Sequence, residues 1–81
     1  MIEQSEDSRY LLNAARAVSR YGRCTWVALS AREKTAVALA LDRADWLEEF
    51  GYTLAEAIAE AGEEWVVIIP RIARELLDEG L

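Results

Sequence analysis

The side chains that most often do chemistry in proteins are thinly represented here. There is no histidine and a single cysteine, Cys24. General acid–base and nucleophilic catalysis both need a base held against a partner group. The acid pairs Glu48/Glu49 and Glu63/Glu64 are sequence neighbours. On a helix, neighbours point about 100° apart, so these pairs read as solvated surface. No glycine-rich phosphate loop is present, and no Cys/His or carboxylate group has the spacing of a zinc or calcium site. The expectation is therefore no enzymatic activity, no cofactor and no metal. The lone cysteine can form no internal disulfide and suits a reducing cytosol. Its expected role is that of a small buried apolar filler.

Charge says more than the titratable groups do. The formal net charge is −6, and it is unevenly spread. Residues 1–43 carry 7 basic and 5 acidic side chains; residues 44–81 carry 2 basic and 10 acidic. From Ala44 to Pro70 there is no lysine or arginine. Affinity for nucleic acid rests largely on basic side chains that neutralise phosphates. The run Asp45, Glu48, Glu49, Glu56, Glu60, Glu63 and Glu64 is thus expected to form an acidic face that disfavours DNA. A basic first half (Arg16, Arg20, Arg23, Arg32, Lys34) leaves one alternative, a small DNA-binding transcriptional regulator. Tryptophan and arginine are common anchors of protein interfaces. Trp26 and Trp65 fall in or beside connections, so they are expected to be protein-binding residues together with the nearby Arg71 and Arg74.

At 81 residues the chain fits one domain, expected over 1–81 with residues 1–5 disordered. The polar, acidic start (Met1 to Asp7) does not read as a signal peptide. The longest apolar runs, Ala36–Leu41 and Trp65–Ile69, are too short to cross a bilayer. The expected location is cytoplasmic, away from any membrane.

The elements are punctuated by glycine. Gly22, Gly51, Gly62 and Gly80 each follow a helix-like segment, where a left-handed cap is wanted. The first helix is expected over Glu6–Tyr21. Ser5 serves as its cap, Glu6 and Asp7 fill its first turn, and Leu11, Ala14, Ala15, Val18 and Tyr21 form its apolar stripe. Arg23–Leu29 has no helical period and reads as an ordered loop, with a strand paired to Trp65–Ile69 as a minority reading. Ser30 and Glu33 form a capping box that opens a helix carrying Val37, Ala40 and Leu41 inward. Asp42 reads as a second N-cap, breaking this helix from a short one over Arg43–Phe50, with Leu41 and Trp46 as a hydrophobic staple. Thr53 and Glu56 form another capping box, ahead of a helix over Leu54–Ala61. Pro70 suits the first turn of a last helix over Pro70–Glu79, with Ile72, Ala73, Leu76 and Leu77 facing in. Glu63–Ile69 reads either as extended or as a helical turn. The fold class is thus all-α, a small domain of four to five helices. Two helices around Gly62 are helix-turn-helix-like, but with a connection longer than the usual turn of about 3–4 residues.

The strings Leu-Ser-Ala-Arg-Glu-Lys-Thr-Ala-Val-Ala-Leu-Ala-Leu-Asp-Arg-Ala-Asp-Trp-Leu (29–47), Gly-Tyr-Thr-Leu-Ala-Glu-Ala-Ile (51–58), Glu-Trp (64–65) and Ile-Pro-Arg-Ile-Ala-Arg-Glu-Leu (69–76) fall in order. Together, residues 29–79 resemble a helix-turn-helix family with an extended turn, found on integrative and conjugative elements of proteobacteria. That family supplies the C-terminal domain of FseA-type activators of element excision, and also free-standing QseM-type antiactivators. The resemblance implies a protein partner, the N-terminal domain of an FseA-type transcriptional activator, with a LuxR-type quorum-sensing regulator as a second. It also implies a role in regulating transcription and horizontal gene transfer. DNA-binding members of the family need a positive face. The acidic run here departs from that need and favours an antiactivator.

Overall fold

A computed structural model describes residues 6–80, and these residues are all-α. Seven helical segments follow one another: α1 (Glu6–Tyr21), α2 (Arg23–Val27), α3 (Ala31–Ala40), α4 (Ala44–Glu49), α5 (Leu54–Ala61), α6 (Glu63–Val66) and α7 (Ile69–Asp78). Two or three more helices are present than the four to five expected, among them α2 and α6, short helices lying between the longer ones. No strand occurs among the described residues. The proposed Ser5 cap and the disorder expected for residues 1–5 lie outside them.

The centre of the molecule is α3. Four consecutive residues, Thr35, Ala36, Val37 and Ala38, are completely buried, which a helix achieves only when it is covered on every side. Neighbours from α1, α2, α4, α5 and α7 supply that cover, with α5 in the most extensive contact. The alanines of α3 let these helices come close. The one polar side chain in the run is satisfied internally: the Thr35 hydroxyl donates to the carbonyls of Ala31 and Arg32 at 3.1 and 3.0 Å, as burial of a hydroxyl requires. Leu11, Leu12, Ala15 and Val18 of α1 and Ile72 and Leu76 of α7 complete this part of the core.

Both expected capping boxes form. The Glu33 amide donates to Ser30 Oγ and the Ser30 amide to Glu33 Oε1. The Glu56 amide donates to Thr53 Oγ1 and the Thr53 amide to Glu56 Oε1. Helix α5 keeps its expected bounds, and Pro70 sits in the first turn of α7. The break after α3 occurs at Asp42, but for a different reason from the one expected. Asp42 does not cap α4; it adopts a left-handed conformation (φ 58°). The Asp42 amide donates to the Leu39 carbonyl and the Arg43 amide to that of Ala38, the bonding pattern of a Schellman C-cap. Asp tolerates this conformation better than most residues. Arg43 then becomes the N-cap of α4, without a side-chain cap bond. Gly51 ends α4 the same way, with φ 80° and the Tyr52 amide donating to the Leu47 carbonyl.

Residues 23–27 are helical rather than the loop or strand expected. Trp26 explains this: it is fully buried, and its ring lies 5.1 Å from both Trp46 and the edge-on Phe50. Its indole N–H donates to the Lys34 carbonyl at 2.7 Å. Tertiary packing of one large side chain overrides the β propensity of its neighbours. On the same turn Cys24 is exposed, not buried as expected. Two stripe residues also differ from expectation: Tyr21 is 69% and Leu77 62% exposed.

Candidate docking surface

The four residues expected to bind protein separate into two environments. Trp65 is buried, with the Arg32 guanidinium stacked 4.0 Å above its ring and Tyr10 beside it at 6.0 Å. Its indole N–H is buried without a hydrogen-bond partner among the described residues. Trp26 is still deeper. Both are core, and neither is available to a partner in this conformation. Arg71 and Arg74 are exposed on α7. The sequence order of the tryptophans, in or beside connections, was misleading, because those connections are themselves short helices that fold the rings inward.

The acidic residues all reach solvent. Asp45, Glu48, Glu49, Glu56, Glu60, Glu63 and Glu64 are exposed. Three of them meet a base. Asp45 accepts two hydrogen bonds from Arg43; these hold its carboxyl below the ordinary range and raise the arginine. Arg23 reaches Glu49 at 2.9 Å, and Arg32 approaches Glu64 at 4.0 Å. Glu56 serves its capping box. Glu48, Glu60 and Glu63 form no salt bridge among the described residues.

The basic first half is largely committed inside the fold. Arg16 pairs with Glu79, and that hydrogen bond keeps the Glu79 carboxyl below its ordinary range and raises the arginine. Arg23 is taken by Glu49. Arg32 covers Trp65 and donates to the Ala61 carbonyl at 2.7 Å, so it clamps the end of α5 to the start of α3. Lys34 lies over the Phe50 ring at 4.8 Å. Of the five bases that could have made a phosphate-binding face, four have intramolecular partners. Exposed ion pairs contribute little stability each, but those of Arg16, Arg23 and Arg32 do lower the free positive charge the surface presents, whereas Lys34 on Phe50 keeps its charge.

Sequence reasoning missed the most unusual feature, which is on α5. This helix buries two of its four alanines and leaves its two large aliphatics about half exposed. Ala57 and Ala61 are completely buried against α3, whereas Leu54 is 56% and Ile58 47% exposed. At about 100° per residue, Leu54 and Ile58 form a ridge beside the buried edge. Ala55 and Ala59, both exposed, widen the ridge, and Glu56 and Glu60 close the far side of the exposed arc. The signal was present in the sequence: Leu54–Ala61 has apolar residues on more of its circumference than one core face can bury.

The remaining features offer less. An open groove of about 470 Å³ runs between the end of α1, the α3–α4 turn and α7, lined by Val18, Leu41, Arg43, Trp46 and Leu77 among others. It holds no paired acid and base. Among the described residues there is no cluster of potential metal ligands, and no helix is long and apolar enough to cross a membrane. The connection from α5 to α7 runs over residues 62–68 and contains α6, so it is longer than an ordinary helix-turn-helix turn. Comparison with protein-family models, with curated proteins and with solved structures finds no match to this chain.

Proposed function

We propose that this domain is an antiactivator: it binds a transcriptional activator through protein–protein contact and keeps it from engaging a promoter. The observation that carries the reading is the charge distribution in the fold. In the first half Arg16, Arg23, Arg32 and Arg43 are paired with acids, while the second half leaves Glu48, Glu60 and Glu63 unneutralised. Such a surface repels a duplex and suits a protein partner. The inverted faces of α5 add support, because two large aliphatics are held in water beside a well-packed core. The resemblance to the extended-turn family of conjugative elements supplies the partner: the N-terminal domain of an FseA-type excision activator, with a LuxR-type regulator as a second target. On this reading the domain takes the place of the activator's own C-terminal module, and the complex carries the wrong charge for DNA.

The test is affinity capture of the tagged protein from its host after nuclease treatment, with the retained proteins identified by mass spectrometry. A transcriptional activator retained despite the nuclease is the expected result. Proteins that vanish once nucleic acid is digested would overturn the reading and put a small DNA-binding regulator in its place. That alternative also requires a duplex shift that weakens steeply with salt.

A further inference from the structure

We infer that the exposed ridge of α5, Leu54 and Ile58 with Ala55 and Ala59, is the docking surface, and that its occupant is a basic amphipathic helix of the partner. This deepens the reading above and rests on it for the identity of the partner, though not for the chemistry.

Three observations on one helix converge. First, Leu54 and Ile58 stand four residues apart on α5, so an apposed helix can pack against both at once, as in helix-in-groove recognition. Second, the small residues Ala55 and Ala59 beside them let a second backbone approach closely. Third, the surroundings select the sign of the partner. Glu56 and Glu60 border the ridge, Glu63 and Glu64 follow it in the chain, no base lies between Ala44 and Pro70 in sequence, and Arg32, which reaches the end of α5, lies against Glu64. A helix with leucine or isoleucine on one face and lysine or arginine flanking it meets both needs. A second copy of this chain does not, since it would bring one acidic half against another.

Two synthetic helical peptides test this, measured by titration calorimetry and amide chemical shifts on the full chain. Both carry the same leucine ridge, and one is flanked by lysines, the other by glutamates. The lysine-flanked peptide is expected to bind at least about tenfold more tightly, and to shift amides of residues 54–60. The double variant L54A/I58A is expected to weaken it by about tenfold or more while keeping the circular dichroism spectrum, because neither side chain is among the buried core residues. E60K is expected to weaken it less and to flatten its salt dependence. Binding unaffected by L54A/I58A, equal binding of the two peptides, or a concentration-dependent dimer abolished by L54A/I58A would each overturn the inference. Capture of an activator that L54A/I58A leaves intact would overturn this surface but spare the antiactivator reading. Peptide binding lost in L54A/I58A without any activator captured would do the reverse.

Discussion

Helices α3 and α5 begin in the same way and end in opposite circumstances. Each opens with a hydroxyl–glutamate capping box, each is rich in alanine, and the two pack on one another. Yet α3 is enclosed on all sides with Val37 at its centre, whereas α5 offers α3 only Ala57 and Ala61 and turns Leu54 and Ile58 outward. Fully burying an aliphatic side chain is favourable by about 1.5–3 kcal/mol, so a helix that leaves Leu54 and Ile58 about half exposed forgoes about half of that gain at each. The contrast teaches that two helices with the same opening and similar composition can be fixed by the core to very different degrees; on the proposed docking surface, the less enclosed one is the one that meets a partner.

The sharpest way to break the contrast is to trim an aliphatic from each helix. Val37→Ala leaves a void in the most enclosed part of the core and should cost about 2 kcal/mol. For a domain of this size that is a large part of a margin of roughly 3–5 kcal/mol. Ile58→Ala, at a side chain about half exposed, should cost roughly 1 kcal/mol in the free protein. Urea unfolding followed by tryptophan fluorescence measures both. If Ile58→Ala costs as much as Val37→Ala, α5 is a core helix in solution and the exposed ridge does not exist.

Arg32 joins the two helices and gives the next largest effect. Its guanidinium donates to the Ala61 carbonyl at the end of α5 and roofs Trp65. Arg32→Ala removes a charge-assisted bond and a cation–π contact together, with an expected cost of about 1.5–2 kcal/mol. It should also wet the Trp65 ring and move the fluorescence maximum to longer wavelength. Arg32→Lys should not restore stability, because a single ammonium cannot stack and donate in the same geometry. Full rescue by lysine would mean that only charge matters there.

How much of this could be read from the chain depends on the range of the interaction involved. Capping boxes act over three residues, and both were legible; so was the exact extent of α5. The end of α3 was legible as a place but not as a mechanism, because Asp42 in a left-handed C-cap and Asp42 as an N-cap use the same letter. Helix α2 was not legible at all. Its form is imposed by Trp46, Phe50 and the Lys34 carbonyl, all distant in sequence, acting on Trp26. The same packing decides which side chains reach solvent: Trp26 and Trp65 looked available and are buried, while no face of α5 was assigned and Leu54 and Ile58 lie about half exposed. Periodicity marks where apolar residues lie on a helix, but which apolar sector faces the core is decided by the neighbour. Here the neighbour is α3, against which α5 buries Ala57 and Ala61.

The smallest expected effect separates the helices by how a loss spreads rather than by its size. Ser30→Ala and Thr53→Ala each remove the hydroxyl that accepts the amide of the third helical residue, and each should cost about 1 kcal/mol. Because α3 contacts five other helices, its first turn cannot open without loosening the core. Ser30→Ala should therefore appear as a lower midpoint of global unfolding, with exchange of the slowest amides accelerated throughout. Helix α5 is covered on one side only, so Thr53→Ala should let its first turn fray locally. Amides of residues 54–57 should then exchange faster while those of α3 change less. A frayed α5 would also have to be ordered again on docking, so Thr53→Ala should weaken a partner held on the ridge more than Ser30→Ala does. Matching exchange profiles for the two variants would mean that α5 is as integral to the core as α3, and the division of roles between them would fall.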